Sequence, residues 1–184
     1  MEEVKIGDQI WMVKNLDVAT FRNGDPIPEA KTEEEWNLAR VNEQPAWCSF
    51  NNDQANGEKY GKLYNWYAVN DPRGLAPMGF HVPTNEDWEE LVAFLGGKEK
   101  VGKKLKATYD WSEKEKGTDE VGFSALPGGY RIRVGDFANI GMRASWWTSS
   151  ESDRKYAWMR YEQGGWVWAA DPKATGLSVR CIKD

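Results

Sequence analysis

The chain has 184 residues, 40% of them hydrophobic and 29% charged, with a formal net charge of −5. That length suits one globular domain, spanning 1–184, that buries about 70% of its unfolded surface and needs no covalent staple. The basic residues are scattered and the apolar runs are short, so neither a nucleic acid partner nor membrane insertion is expected.

The opening residues, Met1 to Asp8, carry neither the basic start nor the apolar stretch of a signal peptide. Val4 to Leu16 predicts two short strands around a turn at Gly7-Asp8. Asn23-Gly24-Asp25-Pro26 is a turn. Thr32 followed by Glu35 forms a capping box, opening a short helix whose first turn is acidic. The polar run from Asn51 to Gly57 has too few apolar positions to pack and predicts a loop. Leu63 to Val69 fits a helical face while its ring content also suits a strand; helix is favoured because Asp71-Pro72-Arg73-Gly74 stops it abruptly.

The strongest helix lies over Asn85–Leu95. Thr84 is its N-cap, Trp88, Leu91, Val92 and Leu95 share one face, and Gly96-Gly97 ends it. A shorter amphipathic piece is expected from Val101 to Ala107. Beyond Trp111 the pattern changes to short strands between glycine turns: Phe123–Leu126, Tyr130–Arg133, Ser145–Ser149, and a hairpin of Tyr156–Tyr161 with Trp166–Ala169. Leu177 to Ile182 alternates cleanly, which predicts a last strand with one buried face. Helices early and a mostly antiparallel sheet late make an α+β layout.

Several of these segments, in order, resemble one family. They are Tyr60-Gly61-Lys62-Leu63-Tyr64-Asn65-Trp66-Tyr67, Gly79-Phe80-His81-Val82-Pro83-Thr84, Gly122-Phe123-Ser124-Ala125-Leu126-Pro127-Gly128-Gly129-Tyr130-Arg131, Trp146-Trp147-Thr148-Ser149-Ser150-Glu151 and Gly176-Leu177-Ser178-Val179-Arg180-Cys181. Together they look like the Fibrobacter succinogenes major paralogous domain. The resemblance implies a C-type-lectin-like fold, related to formylglycine-generating enzymes. It also implies a layout shared with the variable proteins of diversity-generating retroelements. In those proteins a constant frame brackets a diversified stretch, here Ser152 to Thr175.

The chemistry points to binding. Core positions account for many of the eleven tryptophans, seven tyrosines and six phenylalanines, but so many large rings in a hydrophilic chain also suggest a surface that binds something. In the bracketed stretch, residues 152–171 form the candidate ligand-binding segment. Arg154, Tyr156, Trp158, Met159, Arg160, Tyr161, Gln163, Trp166, Trp168 and Asp171 are its candidate residues, with Met142 and Arg143 on the rim. If Val167 points inward, Trp166 and Trp168 are displayed to solvent, giving rigid contact area of the kind antibody paratopes use. Trp146 and Trp147 are assigned to the edge of the core.

The expected partner is a protein or a cell-surface glycan, met at a virion or cell surface, with no enzymatic step and no cofactor. His81 lies among helix-start carboxylates and is read as structural. Cys48, Cys181 and one histidine are too few donors for a zinc site. Two free thiols are favoured over one long-range disulfide. Loops around Asn51-Asn52-Asp53 or Asp136 and Asn139 have oxygen donors suited to a structural calcium ion, but the residue set of a calcium-dependent sugar site is absent. Two other readings are a degenerate formylglycine-generating-type oxidase, which needs a close cysteine pair, and a structural subunit of a surface assembly.

Overall fold

The structure, a computed structural model, describes residues 2–153, 156–162 and 166–184, and for 156–162 and 168 the backbone alone. It opens with a hairpin of β1 (Glu3–Ile6) and β2 (Gln9–Met12), as the sequence predicts. Gly7 turns it at φ 63°, and a Cβ there would press on the Phe94 ring at 3.0 Å. Helix α1 (Glu33–Val41) carries the expected capping box. The Thr32 hydroxyl accepts from the Glu35 N–H, and the Glu35 carboxylate accepts from the Thr32 N–H. Trp36 is its buried anchor.

β3 (Trp47–Cys48) is followed by the first departure from the sequence reading. Asn51 to Gly57 is not a loop: a 3-10 turn over Phe50–Asn52 leads into α2 (Gln54–Tyr60). Asp53 caps it by accepting from the Ala55 N–H. The helix packs through Gly57, where a Cβ would meet the Ser49 hydroxyl at 2.5 Å, so backbone contact replaces the missing apolar face. The next segment is two elements, not one helix. Asn65 accepts from the Ala68 N–H and thereby separates β4 (Leu63–Tyr64) from α3 (Trp66–Val69).

β5 (Phe80–His81) precedes α4 (Asn85–Phe94), with Thr84 and Asp87 in a reciprocal cap. Trp88, Leu91, Val92 and Leu95 are buried, as their spacing predicts. α5 (Lys98–Leu105) starts earlier than the amphipathic pattern suggested. Phe123–Leu126 contributes only a single parallel bridge, from Ala125 to Lys106. β6 (Gly128–Arg131) pairs with β7 (Phe137–Ile140), a strand the sequence did not announce. Then come β8 (Ala144–Glu151), β9 (Tyr156–Glu162), β10 (Trp166–Pro172) and β11 (Ile182–Lys183).

The architecture is mixed α+β, with antiparallel pairing throughout its named sheets. The sheet content is not confined to the late half. β11 lies between β2 and β5, so the two ends of the chain share one four-stranded sheet in the order β1-β2-β11-β5. A second sheet has the order β10-β9-β8.

Leu177 to Ile182 was expected to hide one face only. It hides both, because it runs through the centre of the molecule. Leu177, Val179 and Cys181 join one apolar cluster with Trp147, Tyr64 and Phe80. Ile182 joins another, built on Trp11, Trp88 and Trp146. Backbone bonds from the Ser178 N–H to the Ser145 carbonyl and from the Trp147 N–H to the Ser178 carbonyl tie this segment to β8.

Candidate functional site

The candidate segment hangs from β8. Trp146 and Trp147 are adjacent and so point to opposite faces, yet both are fully buried. The reason is that β8 is clamped between the two apolar clusters, with Trp147 in one and Trp146 in the other. These residues sit inside the core, deeper than the edge position expected of them. Their indole N–H groups are both used: Trp146 donates to Asn15 Oδ1 at 2.9 Å, and Trp147 to the Tyr64 carbonyl at 2.8 Å. Trp66 donates to the Thr148 carbonyl at 3.1 Å, fixing the middle of the strand.

β9 pairs with β8 from Ala144↔Glu162 to Trp147↔Met159, and again at Glu151↔Ala157. The register shifts between Trp147 and Glu151, a bulge that frees the later residues from strict pairing. β10 pairs along β9 from Trp166↔Glu162 to Pro172↔Tyr156 and forms the outer edge of its sheet.

Trp166 corrects the display expectation. It is only 6% exposed, with its ring 5.5 Å from that of Trp88 and 6.2 Å from that of Trp146, on which it stacks. Val167, expected to point inward, is half-buried instead. The cause is the cluster over α4: three indoles with Phe123 and Trp11 fill a space too large for a valine. That packing leaves the N–H groups of Trp88 and Trp166 buried with no hydrogen-bond partner among the described residues. Such a burial carries a cost the ring contacts must offset.

Among the other candidates, Met142 is exposed at 53%. Arg143 is half-buried, donates to Ser145 Oγ at 2.8 Å and lies over the Tyr130 ring. Asp171 is half-buried and accepts from Thr175 Oγ1 at 2.5 Å, a contact that steadies the exit from β10. Arg154 and Gln163 lie outside the described residues. So do the side chains of Tyr156, Trp158, Met159, Arg160, Tyr161 and Trp168, whose backbones stand in β9 and β10.

The residues that invite catalytic readings are tied down. Nδ1 of His81 faces the Asp184 carboxylate at 2.9 Å and Nε2 faces Asp87 at 3.3 Å, so the ring bridges the last residue to the cap of α4. Cys48 and Cys181 are free thiols, each fully buried, in separate clusters. Burial pushes both thiols up to about 12. Among the described residues no group of three or more His, Cys, Asp or Glu side chains is placed to hold a metal ion. In the loops weighed for calcium, Asp53 caps α2, Asn52 donates to the Lys31 carbonyl and Asn139 turns the chain at φ 61°.

One feature had no sequence signal beyond an arginine in an otherwise apolar alternation. Arg180 is 1% exposed and lines a cleft of about 540 Å³ with Val13, Asn15, Tyr60 and Tyr109.

A family model described as the Fibrobacter succinogenes major domain matches residues 4–183. No curated protein and no solved structure matches the chain.

Proposed function

We propose, from the premise that the chain belongs to the Fibrobacter succinogenes major domain family, that it is a non-enzymatic binding module. Its β9–β10 hairpin and the adjoining 141–143 turn meet a protein or a cell-surface glycan. The observation that carries the reading is the clamping of β8 on both faces. The hairpin is hydrogen-bonded along one side to a strand that two cores hold, while β10 lies at the sheet edge. A fixed strand on one side lets the hairpin sequence change with little effect on the core. Tyr156, Trp158, Arg160, Tyr161 and Trp168 are residue types that dominate binding energies. Trp166 belongs to the frame and not to the ligand face.

The buried, separated thiols oppose the oxidase alternative, which requires two sulfurs in contact and at least one thiolate. The meeting of both chain ends in one sheet supports a C-type-lectin-like fold. The narrower form of the reading is a retroelement-diversified variable protein of a virus or microbe, and it rests on the division between buried frame and hairpin. A near-copy of the hairpin-coding bases, differing mainly at adenines and lying beside a reverse transcriptase, checks that narrower form. Its absence removes the diversification and leaves the binding module.

The binding module itself is tested on an array of cell-surface glycans and purified surface proteins. The array is probed with the chain and with a variant carrying serine at positions 156, 158, 160, 161 and 168. The expected result is binding that the variant loses while its unfolding midpoint stays within a few degrees. Equal binding by both proteins overturns the assignment of the surface.

A further inference from the structure

A buried charge needs a partner, because burying an isolated ion costs several kcal/mol even after relaxation, and roughly three or more when one member of a pair is missing. Arg180 has no carboxylate within ion-pair distance among the described residues. Its Nε donates to Asn15 Oδ1 at 3.0 Å, and its Nη1 donates to the Phe123 carbonyl. The Phe123 ring lies 4.3 Å from the guanidinium carbon. Nη2 makes no hydrogen bond to any described residue. Burial pulls the guanidinium down to about 9, with Asp119 and Tyr109 supporting its charge from a distance.

The cleft that reaches this arginine has the volume of a small-molecule pocket, within the usual range of about 300–1,000 Å³. Val13, Leu126 and the rings of Tyr60 and Tyr109 supply apolar wall. Tyr109 is 54% exposed at the mouth, and its hydroxyl has no hydrogen-bond partner among the described residues. The remaining charges limit what can enter. Lys59 is paired with Asp110 at 2.7 Å, and Asp17 is paired with Lys62. Glu2 and Glu58 also line the cleft. Counting Lys62, which pairs with Asp17, the four cations Lys14, Lys59, Lys62 and Arg180 balance the four carboxylates Glu2, Asp17, Glu58 and Asp110, so the cleft offers no surplus positive charge to hold a dianion such as phosphate. The one guanidinium edge that the described residues leave unused matches a single negative charge on an apolar body.

We propose that the cleft between Asn15, Tyr60, Tyr109 and Arg180 binds a small molecule carrying one carboxylate and an aromatic body, with the carboxylate accepting from the free edge of the Arg180 guanidinium. The site is separate from the hairpin surface but is connected to it. Asn15 Oδ1 accepts from both Arg180 and the Trp146 indole, and Trp146 stacks on Trp166 in β10.

The test uses the whole chain, isotopically labelled, and titrates it with benzoate, N-acetyl-phenylalanine, benzamide and inorganic phosphate. Backbone and indole N–H resonances are followed. At least one of the two carboxylates is expected to saturate, moving Tyr60, Tyr109 and the Trp146 indole, with affinity at least tenfold above benzamide and phosphate. Arg180→Lys is expected to lower that affinity at least tenfold. Should that variant fail to fold, acetate is added to the titration as a carboxylate without an aromatic body, and Tyr109→Ala at the exposed rim is expected to weaken N-acetyl-phenylalanine about threefold more than acetate; equal weakening of the two overturns the proposal. Saturation by benzamide as tight as by benzoate, shifts confined to other surfaces, or no saturation by either carboxylate overturns the proposal. None of these outcomes bears on the hairpin, whose array test is independent.

Discussion

Two arginines are buried to the same degree, and the molecule treats them differently. Arg131, 1% exposed, spends all three nitrogens on the protein: Nε on the Gly135 carbonyl, Nη1 on Ala30 and Nη2 on Thr32, with Trp36 and Phe137 stacked around it. It is a knot joining α1, the 30–32 segment and the β6–β7 hairpin. Arg180, also 1% exposed, spends two nitrogens, and its third has no hydrogen-bond partner among the described residues beside the cleft that the residue lines. The difference separates a charge whose donors are all spent on closing the fold from one with a donor to spare beside a cleft.

The largest effect expected from breaking this comparison is at Arg131. Arg131→Met leaves the Ala30 and Gly135 carbonyls without that donor and should cost about 3–5 kcal/mol. Arg180→Met loses one carbonyl bond but relieves an unpaired charge, and Asn15 Oδ1 keeps the Trp146 indole, so about 1 kcal/mol is expected. Urea unfolding of the two variants measures the gap, and equal losses would erase the distinction.

Next in size, Trp166→Ala should cost about 3–5 kcal/mol through the cavity it leaves beside Trp88 and Trp146. Met142→Ala, at an exposed position, should stay within about 0.5 kcal/mol. A mild Trp166→Ala would return that ring to the displayed set.

The buried thiols predict an alkaline limit. Each holds its proton to about 12 when folded, against an ordinary value of 9.0 when exposed. Their contribution is therefore intact below pH 9 and is lost as pH rises from 9 toward 12, by on the order of 2 kcal/mol per thiol at pH 11. Native protein at pH 8 should show no fast-reacting thiol toward a disulfide reagent and two after denaturation. A fast native thiol would revive cysteine chemistry.

A modest effect sharpens the helical half. Thr84→Ala removes the cap of α4 and should cost about 1 kcal/mol by thermal unfolding.

The parts legible in the sequence were those governed by neighbours in the chain. The caps at Thr32 and Thr84, the buried face of α4 and the hairpin of β9 and β10 all follow from local spacing. What escaped depends on contacts far along the chain. Polar α2 is stable because Gly57 lets it approach Ser49. Leu177 to Ile182 is buried on both faces because β8 and the N-terminal hairpin close over it. Trp166 was misread because two tryptophans around a valine fit either orientation. Only the aromatic cluster over α4, assembled from Trp11, Trp88, Phe123 and Trp146, decides which. Arg180 gave no local sign of the cleft beside it.

The separation of a frame from a hairpin that it carries is the claim to test most directly. Two display libraries serve, one randomised at positions 156, 158, 160, 161, 163 and 168, the other at 146, 147, 166, 177, 179 and 180, each scored by survival under protease. The account predicts that most members of the first library survive and almost none of the second. Comparable survival in the two libraries would contradict it.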